Sequence, residues 1–215
     1  ISNKTKIFCF QWGCEILREL KPTFNKISCH IFLSWSEYWL KVFERYNICK
    51  FIVIGNPTLK IKKKKIKKPK TIGALMLRET NSDDEIINSD IIDILLKYNN
   101  HKVILRNHPL SLNEKYRDKA KLFDFHNARE IKFEKTLNTC DFFILNFSST
   151  IIEILNNNSI PIVYNPTKEK INIEIEKVLN NKNLKLICNT KNELDQMVKK
   201  ILSSEKFQSD LKKSI

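Results

Sequence analysis

The sequence predicts an α/β protein of the doubly wound kind, in which helices cover parallel strands. From residue 71 onward, short β-rich apolar runs alternate with stretches of helical periodicity, the pattern that a parallel sheet with crossover helices imposes. The first 57 residues repeat the alternation on a smaller scale. A hydrophobic fraction of 42% is ordinary for a globular chain, and 215 residues suffice for one full α/β domain plus part of a second.

In the first unit, residues 6–11 read as a strand ending at Trp12-Gly13 and 27–33 as a second strand. Residues 36–46 read as a helix with Trp39, Leu40 and Phe43 on one face, and 49–54 as a third strand. Trp35, Tyr38, Trp39 and Phe43 fall at helical spacing and form a packing face. Gly55-Asn56-Pro57 breaks the pattern and a lysine run follows. The expected organisation is therefore a partial N-terminal unit at 1–57, a Lys-rich linker at 58–70 and a C-terminal domain at 71–215. The first unit is too short to be complete. The start at Ile1, close to a strand, adds the expectation of a fragment whose natural N-terminus lies upstream.

In the C-terminal part, residues 71–77 (TIGALML) read as a buried strand. Residues 83–99 read as an amphipathic helix with Ile86, Ile87, Ile91, Ile92, Leu95 and Leu96 at helical spacing. KVILR at 102–106 is the next strand, followed by a loop at Asn107-His108-Pro109. Helices fit 112–122 and 133–139, a strand 141–146, a helix 148–156 and a strand 160–164. Residues 168–180, 184–188 and 191–202 complete the alternation as helix, strand and helix.

Composition excludes several classes. Three glycines, Gly13, Gly55 and Gly73, cannot build a G-x-G-x-x-G turn or a G-x-x-x-x-G-K-[ST] loop. Classical nicotinamide enzymes and P-loop NTPases are out. The formal charge of +14 suggests nucleic acid, but eight of the lysines lie at 60–70, leaving +6 over the rest of the chain. Asn, Lys and Ile are abundant while Gly, Ala and Arg are sparse, as an AT-rich genome dictates, so part of the basicity is codon drift. The six cysteines, at 9, 14, 29, 49, 140 and 188, show no C-x-x-C and no nearby His pair, so no metal site is expected, and they read as reduced, structural thiols in a cytoplasmic protein. No apolar stretch is long enough to span a membrane and no signal peptide is visible.

Ligands of open α/β sheets bind beyond the carboxyl ends of strands, which singles out three places. The first is Arg106-Asn107-His108-Pro109. A His fixed by the following Pro can donate to a phosphate oxygen or release a proton near neutral pH, and a simple turn with an exposed imidazole needs the same pair. The second is Asn146-Phe147-Ser148-Ser149-Thr150, where hydroxyls at a helix start can hold an anion. Plain capping explains one hydroxyl and does not need three. Glu153, one turn later, either faces the ligand or favours the helix start. The third is Gln11-Trp12-Gly13, with Glu15 as the nearest carboxylate able to act as a base. A tight strand-to-helix turn would also need that glycine. His30 reads as a core or edge residue, and His101 and His126 have no carboxylate or nucleophile neighbours in sequence.

With these residues placed, the chain resembles the GT-B glycosyltransferases that build bacterial surface polysaccharides, particularly the sialyltransferase and Kdo-transferase-like groups. The resemblance lies in His108-Pro109 after a strand, the Ser148-Ser149-Thr150 element about 40 residues later, Glu153, and the returning strand from Ser159 to Val163. Upstream, FQWG, HIFLSWSEYW and FIVIGNP match the N-domain pattern of such enzymes, so the ordered set covers most of residues 6–166. The resemblance implies two Rossmann-like units, the N-terminal one incomplete, with a nucleotide-sugar donor held mainly by the C-terminal one. It implies a CMP-activated sugar of sialic acid or Kdo type, transferred to a glycan or glycolipid of capsule or lipopolysaccharide without a metal or other cofactor. His108 and Pro109 would meet the donor phosphate, with His108 stabilising or protonating the leaving nucleotide. Ser148 and Ser149 would bind the same phosphate, and Thr150 would cap or assist. Glu15 and Glu153 complete the candidate set. The acidic D/E-D/E-G motif of the sialyltransferase groups is missing, which leaves the catalytic base open.

Other possibilities stand beside this one. Glycerophosphotransferases of teichoic acid synthesis and UDP-sugar epimerases combine a His after one strand with Ser residues at a later helix, and a non-catalytic nucleotide-sugar-binding domain fits the missing motif. A basic nucleic-acid-binding module would use the 60–70 lysines, although no aromatics interleave them. The same run suits the anionic inner face of a cell membrane, where each Lys contributes on the order of 1 kcal/mol.

Overall fold

A computed structural model of the chain describes residues 6–10, 29–34, 50–55, 71–111, 119–148, 150–169, 176, 179–180, 185–204 and 207. The chain divides into two compact units, Ile1–Lys60 and Ile61–Ile215. The expected linker at 58–70, the helix at 36–46 and the aromatic face at 35–43 lie outside the described residues.

The first unit holds three parallel strands, β1 (Phe8–Phe10), β2 (Ile31–Ser34) and β3 (Lys50–Val53), with β2 in the middle. Phe8 pairs with Ile31 and Ile31 with Lys50. Phe32 is buried and its ring lies 5.6 Å from that of Phe51. His30 is an exposed residue at the strand edge, its Nδ1 accepting the Ile7 N–H at 3.1 Å.

The second unit is a six-stranded, all-parallel sheet. Its strands are β4 (Thr71–Leu75), β5 (Lys102–Arg106), β6 (Asp124–His126), β7 (Phe142–Leu145), β8 (Ile160–Tyr164) and β9 (Ile187–Cys188), in the spatial order β6-β5-β4-β7-β8-β9. Covered sheets of this kind demand near-continuous apolar strands. IPIVY and FFIL are buried at every position. The helices are α1 (Ser82–Leu96), α2 (Phe133–Thr139), α3 (Thr150–Asn156) and α4 (Lys191–Ser203), with a 3-10 turn at Lys119–Leu122.

Local chemistry accounts for the helix limits. Asn81 caps α1 by accepting the Asp84 N–H at 2.9 Å, and Asp83, Asp84 and Glu85 sit in the first turn where the helix dipole favours anions. Thr190 caps α4 through the Glu193 N–H at 3.2 Å. On α1 the buried stripe is Ile87, Ile91, Ile92, Ile94 and Leu95, whereas Ile86, expected in the core, is 56% exposed. Residues 112–118 lie outside the described residues, and the rest of the helix expected at 112–122 contains a 3-10 turn. The helix expected from 168 does not begin there, because Lys168 takes φ 52° and bonds back to Asn165. β6, a three-residue edge strand reading Asp-Phe-His, was not foreseen. Cys140 and Cys188 are buried and outside any disulfide, Cys188 as its apolar run suggested, and burial pushes the Cys188 thiol up to about 12.

Two contacts fix the centre of the sheet. Asn88 is fully buried on α1. Its Oδ1 accepts the Leu77 N–H at 2.8 Å, and its Nδ2 donates to the Leu77 carbonyl at 3.1 Å, pinning the chain just beyond β4. At Gly73, β4 approaches β7 so closely that an added Cβ would lie 2.5 Å from Cδ1 and 2.6 Å from Cε1 of Phe143. Phe143 is fully buried and has nowhere to retreat. Gly73→Ala is therefore expected to lower stability by about 1–3 kcal/mol, read as a fall in the urea midpoint at constant m-value. An unchanged midpoint would mean that the two strands are not held this close.

Candidate functional site

In register, Leu75 of β4 lies opposite Arg106 of β5 and opposite Leu145 of β7. The three strands therefore end level, and the residues that follow them converge. Between them opens a cleft of about 240 Å³, lined by Met76, Leu77 and Arg78 after β4, Arg106, Asn107 and His108 from β5, and Asn146, Phe147, Ser148 and Thr150 after β7, with Asp84 and Phe133 at its sides.

His108 is half-buried in this cleft. Its Nδ1 accepts the Leu110 N–H at 3.1 Å, which places the ring hydrogen on Nε2, free to donate. Burial, then the neighbouring Arg78 charge, pushes its pKa below the usual imidazole value. The ring is thus a neutral hydrogen-bond donor at pH 7. The loop carrying it is held by Asn107 Oδ1, which accepts the Ala128 N–H at 2.7 Å, and by Arg129 Nε, which donates to the Pro109 carbonyl at 3.2 Å.

Ser148 and Thr150 meet at the opposite wall. The Thr150 hydroxyl donates to Ser148 Oγ at 2.8 Å and the Thr150 N–H does so at 3.3 Å, which leaves the Ser148 hydroxyl hydrogen available to a ligand. The helix expected from Ser148 begins at Thr150 and spans only seven residues, so the hydroxyls, more than a long dipole, supply the donors here. Asn146 is committed to the sheet, its Nδ2 donating to the Tyr164 carbonyl at 2.7 Å.

The structure thus brings together three sequence candidates, His108, Ser148 and Thr150. Pro109 is exposed and outside the cleft lining. Glu153 is half-buried and likewise outside the lining, and burial pushes its carboxyl pKa up. Glu15 and Ser149 lie outside the described residues. Two arginines were given no role by the sequence, Arg78 because it was not singled out and Arg106 because its place was read through His108. Arg78 is the first charge after a buried strand, the same signal that found His108. Arg106 is 6% exposed, lines the cleft, and stacks over the Phe133 ring at 5.5 Å. Among the described residues, no group of three or more His, Cys, Asp or Glu side chains is placed to hold a metal, and no helix is long and apolar enough to cross a membrane.

The sequence matches no protein-family model and no curated protein. Solved structures do match. The wall teichoic acid polymerase TagF is similar over 99% of this chain and 62% of its own, with a TM-score of 0.62 at 13% identity. S. aureus MnaA in its UDP co-structure is similar over 86% of this chain and 55% of its own, with a TM-score of 0.59 at 14% identity. Methanocaldococcus jannaschii UDP-GlcNAc 2-epimerase, in complex with UDP-GlcNAc and UDP, is similar over 82% of this chain and 55% of its own, with a TM-score of 0.56 at 15% identity. The chain spans little more than half the length of these proteins. Its fold is α/β with parallel sheets, GT-B-like.

The depressed His108 pKa has a consequence for stability. An unfolded chain binds that proton near pH 6.5, before the folded one does, so His108 contributes a loss of stability as pH falls below 6.5 toward its folded value. Glu153 acts in the opposite sense nearer the carboxylate range, since its raised pKa makes the folded state take the proton first. Urea midpoints measured from pH 7.5 to 5.5 are expected to fall less steeply in His108→Asn than in the wild type, and NMR titration should place the His108 midpoint below 6.5. Parallel curves, or a midpoint above 6.5, would show that the imidazole is not held neutral.

Proposed function

We propose that the chain binds a nucleotide-activated sugar in the cleft beyond β4, β5 and β7 and transfers the sugar to a bacterial surface glycan. The observation that carries this is the meeting of His108 with Ser148 and Thr150 at one crevice, although 40 residues separate them in sequence. The crevice lies where the strand order reverses, the position at which open α/β sheets hold nucleotides. Departure of a nucleotide leaves negative charge on phosphate. A neutral Nε2–H and a serine hydroxyl aimed at that charge lower the barrier to direct displacement of the sugar, without calling on a metal.

The motif resemblance favours a CMP-activated sugar of sialic acid or Kdo type, destined for capsule or lipopolysaccharide. A UDP-activated sugar is the second reading, favoured by two proteins of similar fold that hold UDP. The lysine run at 60–70 would hold the protein against the anionic cytoplasmic face of the membrane.

Calorimetry with CMP, CDP and UDP tests this directly. One of them is expected to bind, and His108→Ala to weaken it by roughly 10–100-fold, as loss of a hydrogen bond to a charged group does. Ser148→Ala should weaken it similarly, while Pro109→Ala, outside the cleft, should leave affinity within about threefold. Absence of binding to all three nucleotides, or indifference to His108→Ala, would overturn the assignment.

A further inference from the structure

We propose that Arg106 is the buried anchor for the ligand's phosphate, and that Thr136 and His126 are positioning residues that hold its guanidinium. This rests on the nucleotide-binding reading above and adds to it the group that neutralises the phosphate charge.

A guanidinium stays charged at any physiological pH, and burying a charge is unfavourable unless an opposite charge or several acceptors accompany it. Arg106 is 6% exposed, yet among the described residues no carboxylate lies within ion-pair distance of it. Its protein partners are neutral. Nη1 donates to the Ile131 carbonyl at 2.7 Å and to Thr136 Oγ1 at 3.2 Å, and the guanidinium lies over Phe133. Among the described residues Nε and Nη2 meet no protein acceptor, and neither nitrogen is sealed from solvent. Arg106 lines the cleft, and on this proposal those donors are directed into it. The missing counter-charge is one that an anion in the cleft supplies.

The hold on this guanidinium has a direction. Arg106 only donates, so Thr136 Oγ1 accepts from it and its own hydrogen is left to donate to His126 Nδ1 at 2.8 Å. Thr136 is fully buried on α2, so its hydroxyl has no water to turn to. His126 then carries its hydrogen on Nε2 and stays neutral. Its surroundings agree, because burial, Arg106, Lys135 and Lys102 disfavour the imidazolium and only Asp124 favours it. The β6 edge strand exists in this account to bring His126 behind Thr136, with Arg106 pairing directly with His126 in the sheet register.

A purely architectural arginine, tying β5 to α2, would affect stability alone. The discriminating readout is the preference for phosphate, measured by ligand-observed NMR as the affinity ratio of UDP to uridine and of CMP to cytidine, with inorganic pyrophosphate as an independent probe. The wild type is expected to bind pyrophosphate and to prefer a nucleotide over its nucleoside. Arg106→Gln should cut that preference by about tenfold or more and abolish pyrophosphate binding, with nucleoside affinity retained. Thr136→Val should lower the preference by about threefold to tenfold and Thr136→Ser, which keeps the hydroxyl, should restore it. Circular dichroism checks each variant; if Arg106→Gln does not fold, Arg106→Lys and the Thr136 pair decide. An unchanged preference in a folded Arg106 variant, or a Thr136→Ser that behaves as Thr136→Val, overturns the anchor while leaving nucleotide binding intact. Arg106-dependent binding of pyrophosphate without any nucleotide binding overturns the nucleotide reading and keeps the anchor. Wild-type protein that binds none of the probes overturns both.

Discussion

The level ending of β4, β5 and β7 is the constraint on which the rest of the second unit depends. β4 lies between β5 and β7, and the chain reaches β7 only after passing through β5, β6 and α2 on the other side. Parallel neighbours require crossovers of consistent hand, so the connections on the two sides of β4 leave toward opposite faces of the sheet. Where they diverge, the strand ends line the cleft. Had β7 slipped by one residue against β4, each of its side chains would have changed faces and Ser148 would have moved away from His108. The fit of Phe143 against Gly73 opposes that slip, since a shift of one residue would set the ring opposite Ile72 or Ala74, where a side chain stands in place of the glycine's open space. A packing detail in mid-sheet thereby sets the geometry at its edge.

The electrostatics of the cleft follow from that geometry. Arg106 and Arg78 contribute two cations, and among the described residues the one carboxylate in the lining, Asp84, is already engaged by the Thr80 N–H at 2.8 Å and the Thr80 hydroxyl at 2.7 Å. The site is thus biased toward anions before any ligand arrives. Burial, and after it the Arg78 charge, keeps His108 neutral, which removes it as a ready proton source at pH 7 and leaves it as a fixed donor. Preorganised donors of this kind do not have to reorganise as charge develops, and that is where their advantage over water lies.

Much of this was legible in the sequence, and the failures have physical causes. The strands 102–106 and 160–164 were read with the bounds the structure shows, because apolar runs bounded by turn residues leave little freedom, and the helix at 133–139 also has the bounds expected. β6 escaped because Asp124, Phe125 and His126 form an edge strand too short and too polar to carry a period. Ile86 looked like core from spacing alone, yet the stripe is rotated to include Ile94, since what α1 buries depends on where the sheet lies. His108, Ser148 and Thr150 were found because they follow strands. The Arg106–Thr136–His126 chain could not be found that way. Its members sit 10 to 30 residues apart, on a strand end, a helix and an edge strand, and only the parallel pairing of β5 with β6 brings them together.

The charge distribution also changes what the net surplus means. Eight lysines at 60–70 dominate the total of +14 and made nucleic acid or a membrane the first thought. A run of like charges is normally solvated, and two charges 4 Å apart in water interact by only about 1 kcal/mol, against about 4 kcal/mol at the effective dielectric of a protein site. Salt weakens the solvated contact further and the buried one much less. A single guanidinium that is 94% buried, oriented by a carbonyl and a hydroxyl and, among the described residues, left without a carboxylate, can therefore direct an anion more effectively than the whole run. In this chain the quantity of charge and the placement of charge point to different partners, and recognition of a particular phosphate depends on placement.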